Sequence, residues 1–547
     1  MLRSTFLGFK TANSALRVNQ NLLDVVGQNM SNVNTKGYTR QRLDINTVSF
    51  STNNLKYGAN GVIIGQGVAA AGISQYRDSF LDLRYRTEAA KSGTESVQLD
   101  ALSDLESVFD EISMDGLDAQ FSDLVSQLQS LTSSPSDPVI EGVVRTSASM
   151  LCQMFNDYSE RINTVKEQQT SYLKDGAIVE VNQLMKNIAG LNKQIKEDNI
   201  SGNPALELND ERNMLIDELS SYLDVEVNLT PLSIGGGRTI DELSIKLKGN
   251  GMKLVNDDEF AELEVVKVIV ETVEKGVKIN LKKSIDDTTL FPTGKDLTQS
   301  IDKGQIAGYI NFLNGKGEFA TSGSTDVKGV QYYESMLDTL ASKFADLMNE
   351  ANKNLKVDID GNPLKADGTK AALPTEYVYQ DRPLFEPRTG TGITARNIKI
   401  SNDWSDASGS YITNTKVPSA AGDVTGATEN ILKMISLFQD SHDFKTPETT
   451  DGTTTTAGKP LFTGTMQEFF SYSATNLSLQ VADAQNSYDT YSGTQYQIDY
   501  SRRSMSSVDL DEEGVNLLTY SKSYNAAARL MTTLDEMLDT LINRMAV

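Results

Sequence analysis

The stretch QNMSNVNTKGYTRQ, residues Gln28–Gln41, decides how this chain is organised. It follows about thirty residues with the apolar spacing of a helix. Asn29, Asn32 and Asn34 carry side chains that compete with the helical backbone for hydrogen bonds. Gly37, next to Tyr38, can adopt a positive φ. We therefore predict that these five residues form a helix-exit motif, a corner between a terminal helix and the next layer. After the corner, the alternation in LDINT predicts a strand.

Both ends of the chain carry apolar residues at heptad spacing, which is typical of a coiled coil when it is sustained over four heptads. The predicted assembly seam consists of Leu2, Phe9, Leu16, Leu23 and Met30 near the N-terminus and of Leu517, Tyr524, Met531, Leu534, Leu538 and Leu541 near the C-terminus. Pairing one end with the other buries a single seam and leaves the remaining faces in water. We therefore expect these ends to become fully ordered only among several subunits.

Between the ends, helical stripes alternate with segments of strand periodicity. Leu184, Ile188, Leu191 and Ile195 share one helical face, and Tyr333, Leu337, Leu340 and Phe344 share another. Residues 225–281, by contrast, contain runs that alternate apolar with polar. We predict an α+β multidomain fold, with discontinuous helical bundle and coiled-coil domains formed by the N- and C-terminal segments and with inserted β-rich domains. The predicted domains are a terminal coiled coil (1–40 plus 505–547), a helical bundle (41–223, 300–356 and 429–504), a first β-rich insertion (224–299) and a second (357–428).

Composition argues against several classes of function. The net charge of −24 disfavours nucleic acid as a partner, and no apolar run reaches the roughly 18–20 residues needed for membrane insertion.

The only cysteine, Cys152, is expected to be a buried inert thiol, and the only histidine, His442, lies in a Thr-rich segment that is predicted to be a loop. A zinc site needs three or four His or Cys ligands. We therefore predict no enzyme activity, no metal and no cofactor, and we interpret the acidic run Asp509–Glu513 as a solvated corner.

Two motifs at the ends resemble those of a known family. The helix followed by Asn29–Tyr38 resembles the start of the flagellar rod, hook and hook-associated proteins, and Val508–Met545 is similar to the partner motif at their C-termini. GYTRQ (Gly37–Gln41), Tyr57–Arg86 and Leu208–Val227 are similar to the hook-associated branch. Within that branch they favour the first of the two proteins that join the hook to the filament.

The resemblance implies a structural protein that forms a ring at the distal end of the hook and is required for filament assembly. Its implied partners are further copies of itself, the hook protein, the second hook–filament junction protein and a flagellar export chaperone. It also implies an extracellular location on the flagellum, reached through the flagellar type III apparatus without a cleaved signal peptide. Two alternatives remain open: a hook protein, or a secreted protein of the flagellar tip with an adhesive or enzymatic insertion.

Overall fold

A computed structural model describes residues 5–48, 67–110, 116–235, 238–270, 273–285, 291–320, 327–358, 362–415, 426–451, 454–540 and 542. Within these ranges the chain is mainly helical and carries several small antiparallel sheets. No helix among the described residues is both long and apolar enough to cross a membrane.

The elements follow one another in an order that brings the two ends of the chain together. The helices are α1 (Thr5–Ser31), α2 (Ser79–Asp110), α3 (Leu117–Thr132), α4 (Pro138–Ser171), α5 (Ile178–Ser201), α6 (Leu206–Tyr222), α7 (Gln305–Asn314), α8 (Val330–Ala351), α9 (Asn402–Ser405), α10 (Glu429–Gln439), α11 (Met466–Ser506) and α12 (Leu510–Asp539). A π-helical turn, Tyr172–Ala177, joins α4 to α5.

The strands form a larger sheet and several short ladders. They are β1 (Gln41–Thr47), β2 (Val68–Gln75), β3 (Val225–Gly235), β4 (Arg238–Leu247), β5 (Lys253–Asn256), β6 (Glu259–Phe260), β7 (Glu262–Val270), β8 (Val273–Lys283), β9 (Asn354–Leu355), β10 (Tyr379–Gln380), β11 (Phe385–Pro387), β12 (Ile398–Ile400), β13 (His442–Lys445), β14 (Thr449–Asp451), β15 (Thr454–Thr456) and β16 (Pro460–Gly464). The four-stranded sheet has the order β3-β4-β5-β6, and β7 pairs with β8.

The helical body is organised around the long pair formed by α2 and α11. The two helices run antiparallel, since Arg502 near the end of α11 lies 3.4 Å from Asp82 near the start of α2. The predicted stripe on α8 is buried from Tyr333 to Phe344, and the Phe344 ring packs against several other rings in the same core. Those rings belong to Phe121, Phe155, Phe385 and Phe438. Apolar periodicity therefore predicted this core correctly.

The first predicted insertion is β-structured and packs directly on the helical body. All six strands β3–β8 fall between residues 225 and 283. The side chain of Asn182 on α5 exchanges two hydrogen bonds with the backbone of Leu263, at 2.9 and 2.8 Å. The buried strand residues Ile245 and Leu281 belong to the same hydrophobic core as the helices. This segment therefore extends the body rather than forming a core of its own.

The second predicted insertion is mostly irregular, so the expectation of a β-rich domain in 357–428 was wrong for the described part of that segment. In its described part, the regular elements are the short strands β10, β11 and β12, the helical turn α9 and a 3-10 turn at Pro374–Glu376. A buried carboxylate anchors it instead, because Glu141 on α4 accepts hydrogen bonds from Trp404 Nε1 at 2.9 Å, Ser410 Oγ at 2.6 Å and Tyr411 N at 2.9 Å. These charge-assisted bonds fix the segment on α4, in addition to the short pairings of β10 with β9 and of β11 with β12.

The Thr-rich segment after α10 also differs from expectation. It was predicted to be a loop, but β13 pairs with β16, and β14 pairs with β15. His442 begins β13, and its Nε2 lies 2.7 Å from the carbonyl oxygen of Leu437. Threonine is β-branched and favours strands, so the composition contained a signal that the loop interpretation overlooked.

Candidate assembly interface

The terminal helices α1 and α12 pack against each other in antiparallel orientation. Gly8, near the start of α1, faces Leu534, near the end of α12, so closely that an added Cβ would lie 3.1 Å from Leu534 Cδ1. Ala12 on α1 and Ala527 on α12 are buried. The contact between the helices therefore depends on small residues, which let their backbones approach closely.

The opposite side of α1 is covered by the hairpin formed by β1 and β2. Val18 and Val25 of α1 form a small hydrophobic cluster with Leu43 of β1. At the loop end of the hairpin Gly67 has a φ of +103°, and a Cβ there would lie 2.3 Å from Ser14 Oγ. Helix α1 is therefore enclosed by α12 on one side and by the hairpin on the other.

The predicted seam residues are only partly covered within one chain. The half-buried members are Phe9, Leu16, Leu23, Met30, Met531, Leu534 and Leu538. Leu517 and Tyr524 are 38% and 37% exposed. Leu2 and Leu541 lie outside the described residues. One chain thus leaves these side chains partly exposed, and their role in assembly stays a prediction.

Helix α12 carries exposed apolar side chains on more than one face. Leu518 is 62% exposed and Leu530 is 48% exposed. At 3.6 residues per turn these two positions point about 120° apart around the helix. Met537 follows Leu530 by one heptad and is also exposed. A helix that is apolar on several sides is normally surrounded by neighbours.

The helix-exit motif folds as a corner built around Asn29, which is 1% exposed. The Asn29 side chain accepts hydrogen bonds from the Gln41 backbone N at 3.0 Å and from the Tyr38 hydroxyl at 2.9 Å, and it donates to the Gln41 carbonyl at 2.9 Å. Asn32 Nδ2 donates to the Gln28 carbonyl at 3.0 Å, and Asn34 is exposed. The Asn29 side chain therefore satisfies both backbone groups of Gln41, as a neighbouring strand would, and holds the end of α1 against the start of β1.

The corner docks on α6. Gly37 has a φ of +84°, and a Cβ at this position would lie 2.0 Å from Met214 Sδ on α6. The backbone N of Thr39 donates to Asp210 Oδ2 at 2.9 Å, and Gln75 Nε2 donates to the same oxygen at 2.9 Å. Burial raises the pKa of Asp210, and these donors oppose that rise. Only glycine fits at position 37, because both the backbone conformation and the contact exclude a side chain.

An ion pair joins the corner to the start of α12. Arg40 Nε lies 2.7 Å from Glu513 Oε1, and Arg40 NH1 lies 2.5 Å from Glu512 Oε2. The Arg40 backbone N donates to the Ser506 carbonyl at 2.8 Å. Glu513 is buried, so the interpretation of the acidic run as a solvated corner was wrong at this residue. Asp509 in the same run caps α12, accepting from the backbone N of Asp511.

A second charge cluster lies where α2, α6 and α11 meet below the corner. Arg502 on α11 pairs with Asp217 on α6 and lies 2.9 Å from Asp499. Arg86 on α2 reaches Asp217 at 2.7 Å, and the Arg502 guanidinium lies 4.1 Å above the Tyr85 ring. Burial alone would lower the pKa of Arg502, but the adjacent carboxylates raise it above its usual value.

Sequence reasoning missed the residues that hold the corner together, which are Arg40, Glu513, Arg502, Asp217 and Asp210. Their partners lie far away along the chain, and charged residues of this kind show no periodicity. Among the described residues no group of three His, Cys, Asp or Glu side chains is placed to hold a metal ion. The arrangement supplies packing surface and fixed charge pairs, which are what a subunit interface requires.

Comparisons with known proteins agree with this architecture. Residues 102–366 match the family described as "Flagellar hook-associated protein FlgK helical domain", and residues 504–545 match "Flagellar basal body rod FlgEFG protein C-terminal". The hook-associated protein 1 of Bacillus subtilis strain 168 is 28% identical over 562 aligned positions, which cover 100% of this chain and 99% of that protein. The Escherichia coli K12 protein of the same name is 23% identical and covers 97% of this chain and 98% of its own length.

A solved structure shares the fold. The flagellar hook junction protein FlgK from Burkholderia pseudomallei superposes with a TM-score of 0.52 at 14% identity, covering 77% of this chain and 100% of that one. The paired terminal helices and the two family matches define an axial protein of the bacterial flagellum. Within that class, the chain belongs to the flagellar hook-associated protein 1 family.

Proposed function

We propose that the chain is a structural subunit of the junction between the flagellar hook and the filament and is required for filament assembly. Its similarity to hook-associated protein 1 over the full length of both chains carries this proposal. Membership of a flagellar structural family also supports a place on the flagellum. The absence of a catalytic site is a separate expectation from the residue inventory, with one histidine and one cysteine in the chain.

Assembly of several copies into a ring is supported by the surface of α12. Helix α12 and the hairpin cover α1, whereas α12 itself keeps apolar side chains exposed at Leu518, Leu530 and Met537. Neighbouring copies, the hook protein below and the second junction protein above would bury these side chains. The same amphipathic helix suits an export chaperone before assembly. Export through the flagellar type III apparatus and an extracellular position follow from this role.

An in-frame deletion examined by electron microscopy tests the junction role. We expect hooks without filaments and flagellin released into the medium. Absent hooks would assign the protein to the hook or rod instead, and ordinary flagella would contradict a junction role altogether. Restoration of filaments by the wild-type chain expressed in the deleted strain is the control.

Complementation with variants of α12 tests the interface itself. Leu530→Asp combined with Met537→Asp places charges at two largely exposed positions of α12, so we expect a folded monomer that fails to restore filaments. Asn525→Asp with Thr532→Asp adds the same number of charges at exposed polar positions of α12 and should restore them. Normal filaments with the first pair would show that this face does not take part in assembly.

A further inference from the structure

A cavity with no assigned role opens beside the π-helical turn Tyr172–Ala177. It is an open cleft of about 530 Å³ between this turn, the end of α6 and the start of α7. That volume falls within the range typical of small-molecule sites. π-Helical turns are rare and often accompany functional sites. The cavity lies on the helical body, apart from the corner and the terminal helices.

Three tyrosines from three different elements line the cavity. They are Tyr172 of the π-helical turn, Tyr222 at the end of α6 and Tyr309 of α7. Tyr222 and Tyr309 are half-buried. Burial is the main cause that raises the pKa of Tyr309, and Asp100 and the other two tyrosines add to the rise. The face of an aromatic ring carries negative potential and attracts cations, and a cage of several rings strengthens that attraction.

The charged groups around the cavity are acidic. Asp175 and Glu180 line it, and none of the described lining residues is Lys, Arg or His. Ser171 Oγ donates to Asp175 Oδ2 at 3.1 Å, which orients this carboxylate. Burial and then Glu180 and Glu218 raise the pKa of Tyr222, so the negative field extends to the aromatic wall. The cavity therefore combines three aromatic side chains with two acidic ones, Asp175 and Glu180.

We propose that this cavity binds an organic cation, an alkylammonium or guanidinium group, against the tyrosine faces, with Asp175 and Glu180 balancing its charge. This binding goes beyond the structural role at the junction and does not depend on it. The cation has two possible sources that share this chemistry. It is either a free small cation or the side chain of a lysine or arginine on a neighbouring subunit.

Fluorine NMR of the full-length chain with 3-fluorotyrosine in place of its 20 tyrosines tests the proposal. Single Tyr→Phe variants assign the resonances of Tyr172, Tyr222 and Tyr309. The probes are choline, Nα-acetyl-lysine methylamide, Nα-acetyl-arginine methylamide and the neutral Nα-acetyl-norleucine methylamide. We expect the cations to shift the three resonances with saturation, at affinities at least about tenfold above that of the neutral probe. Tighter binding of choline would indicate a free cation, and tighter binding of the amides would indicate a partner side chain.

Two double variants test whether cation binding depends on the negative charge of the lining side chains rather than on their size. Asp175→Asn with Glu180→Gln keeps the size of both exposed side chains, and we expect it to weaken cation binding about tenfold or more. Asp406→Asn with Glu211→Gln removes two exposed carboxylates elsewhere and should leave the titration unchanged. Equal binding of the norleucine probe, or no shift of the three resonances up to about 100 mM cation, would overturn the proposal.

Discussion

The core of the helical body and the terminal helix α12 have similar apolar patterns but very different burial. Helix α8 buries twelve of its 22 residues, whereas α12 buries two of its 30, Glu513 and Ala527. Both helices repeat apolar residues at three- and four-residue spacing, so the pattern alone does not distinguish them. The difference lies in the number of neighbours that the chain itself supplies. The body is complete within one subunit, and α12 has exposed faces for other subunits to cover.

The largest difference in stability between the two regions should come from removing a buried aromatic ring from the core of the body. Phe344→Ala deletes a fully buried ring that contacts four others, so we expect a loss of about 3–5 kcal/mol in the free energy of unfolding. Leu530→Ala in α12 should change it by less than about 0.5 kcal/mol, because the side chain is largely exposed. Urea unfolding monitored by the single tryptophan, Trp404, measures the first value, and circular dichroism measures both. Equal losses would contradict the comparison.

The charge cluster below the corner should show the next largest effect. Arg502→Met leaves Asp217, Asp82 and Asp499 without their shared cation in a partly buried site, so we expect a loss of about 2–4 kcal/mol. Arg503→Met is the matched control. Its side chain is 74% exposed and pairs with Asp499 on the same helix, which predicts a loss below about 1 kcal/mol. Similar urea midpoints for the two variants would mean that the cluster does not stabilise the body.

The pH dependence of the body should show a smaller effect at Asp338 on α8. Burial is the main cause that raises the pKa of this carboxyl group to about 6, and the negative charge of Glu334 adds to the rise. A hydrogen bond from the backbone N–H of Ala395 and the positive charge of Lys275 both oppose it. Because the folded pKa exceeds the unfolded value near 4, the folded state binds the extra proton between these pH values. This carboxyl therefore lowers stability above about pH 6, and the penalty disappears as the pH falls toward 4.

Asp338→Asn should remove that penalty while keeping an acceptor for the Ala395 N–H, which lies 2.8 Å away in the native chain. We expect the variant to gain about 1–2 kcal/mol over the wild type at pH 7.5, since the small opening of this site to solvent screens part of the effect. The gain should vanish near pH 4. Urea unfolding at both pH values measures it, with the exposed Asp157→Asn on α4 as control. A pH-independent difference would exclude titration of this group as the cause.

The sequence predicted those features that depend on neighbours along the chain. The stripe from Tyr333 to Phe344 and the strands of residues 225–283 appear as periodic patterns, because local burial repeats with the period of the element. The exit at Asn29 and Gly37 was also predictable, since each residue type has a local backbone preference.

The features that were missed depend on partners distant in the chain. Arg40 and Glu513 are 473 positions apart, so no periodic pattern in the sequence indicates that they pair. The contact at Gly8 likewise depends on the closeness of a second helix, which a heptad pattern of large residues does not indicate. The segment after residue 357 is anchored by the buried Glu141 of α4, and its strand pairing is limited to short ladders, so β propensity alone did not predict its structure.

The last prediction concerns local unfolding of the terminal helices, where the free energies should be the smallest. Because α12 packs mainly against α1 and the corner within the described part of the chain, we expect its amides in the monomer to open at a cost of about 0–2 kcal/mol, far below those of α8. Helix α1 should fall between them, since the hairpin covers its second face. Amide hydrogen exchange on the monomer and on the assembled junction measures all three. Protection of α12 should rise on assembly while that of α8 stays unchanged. Strong protection of α12 in the monomer would mean that a single partner helix is enough, and that the exposed faces of α12 are not needed for its order.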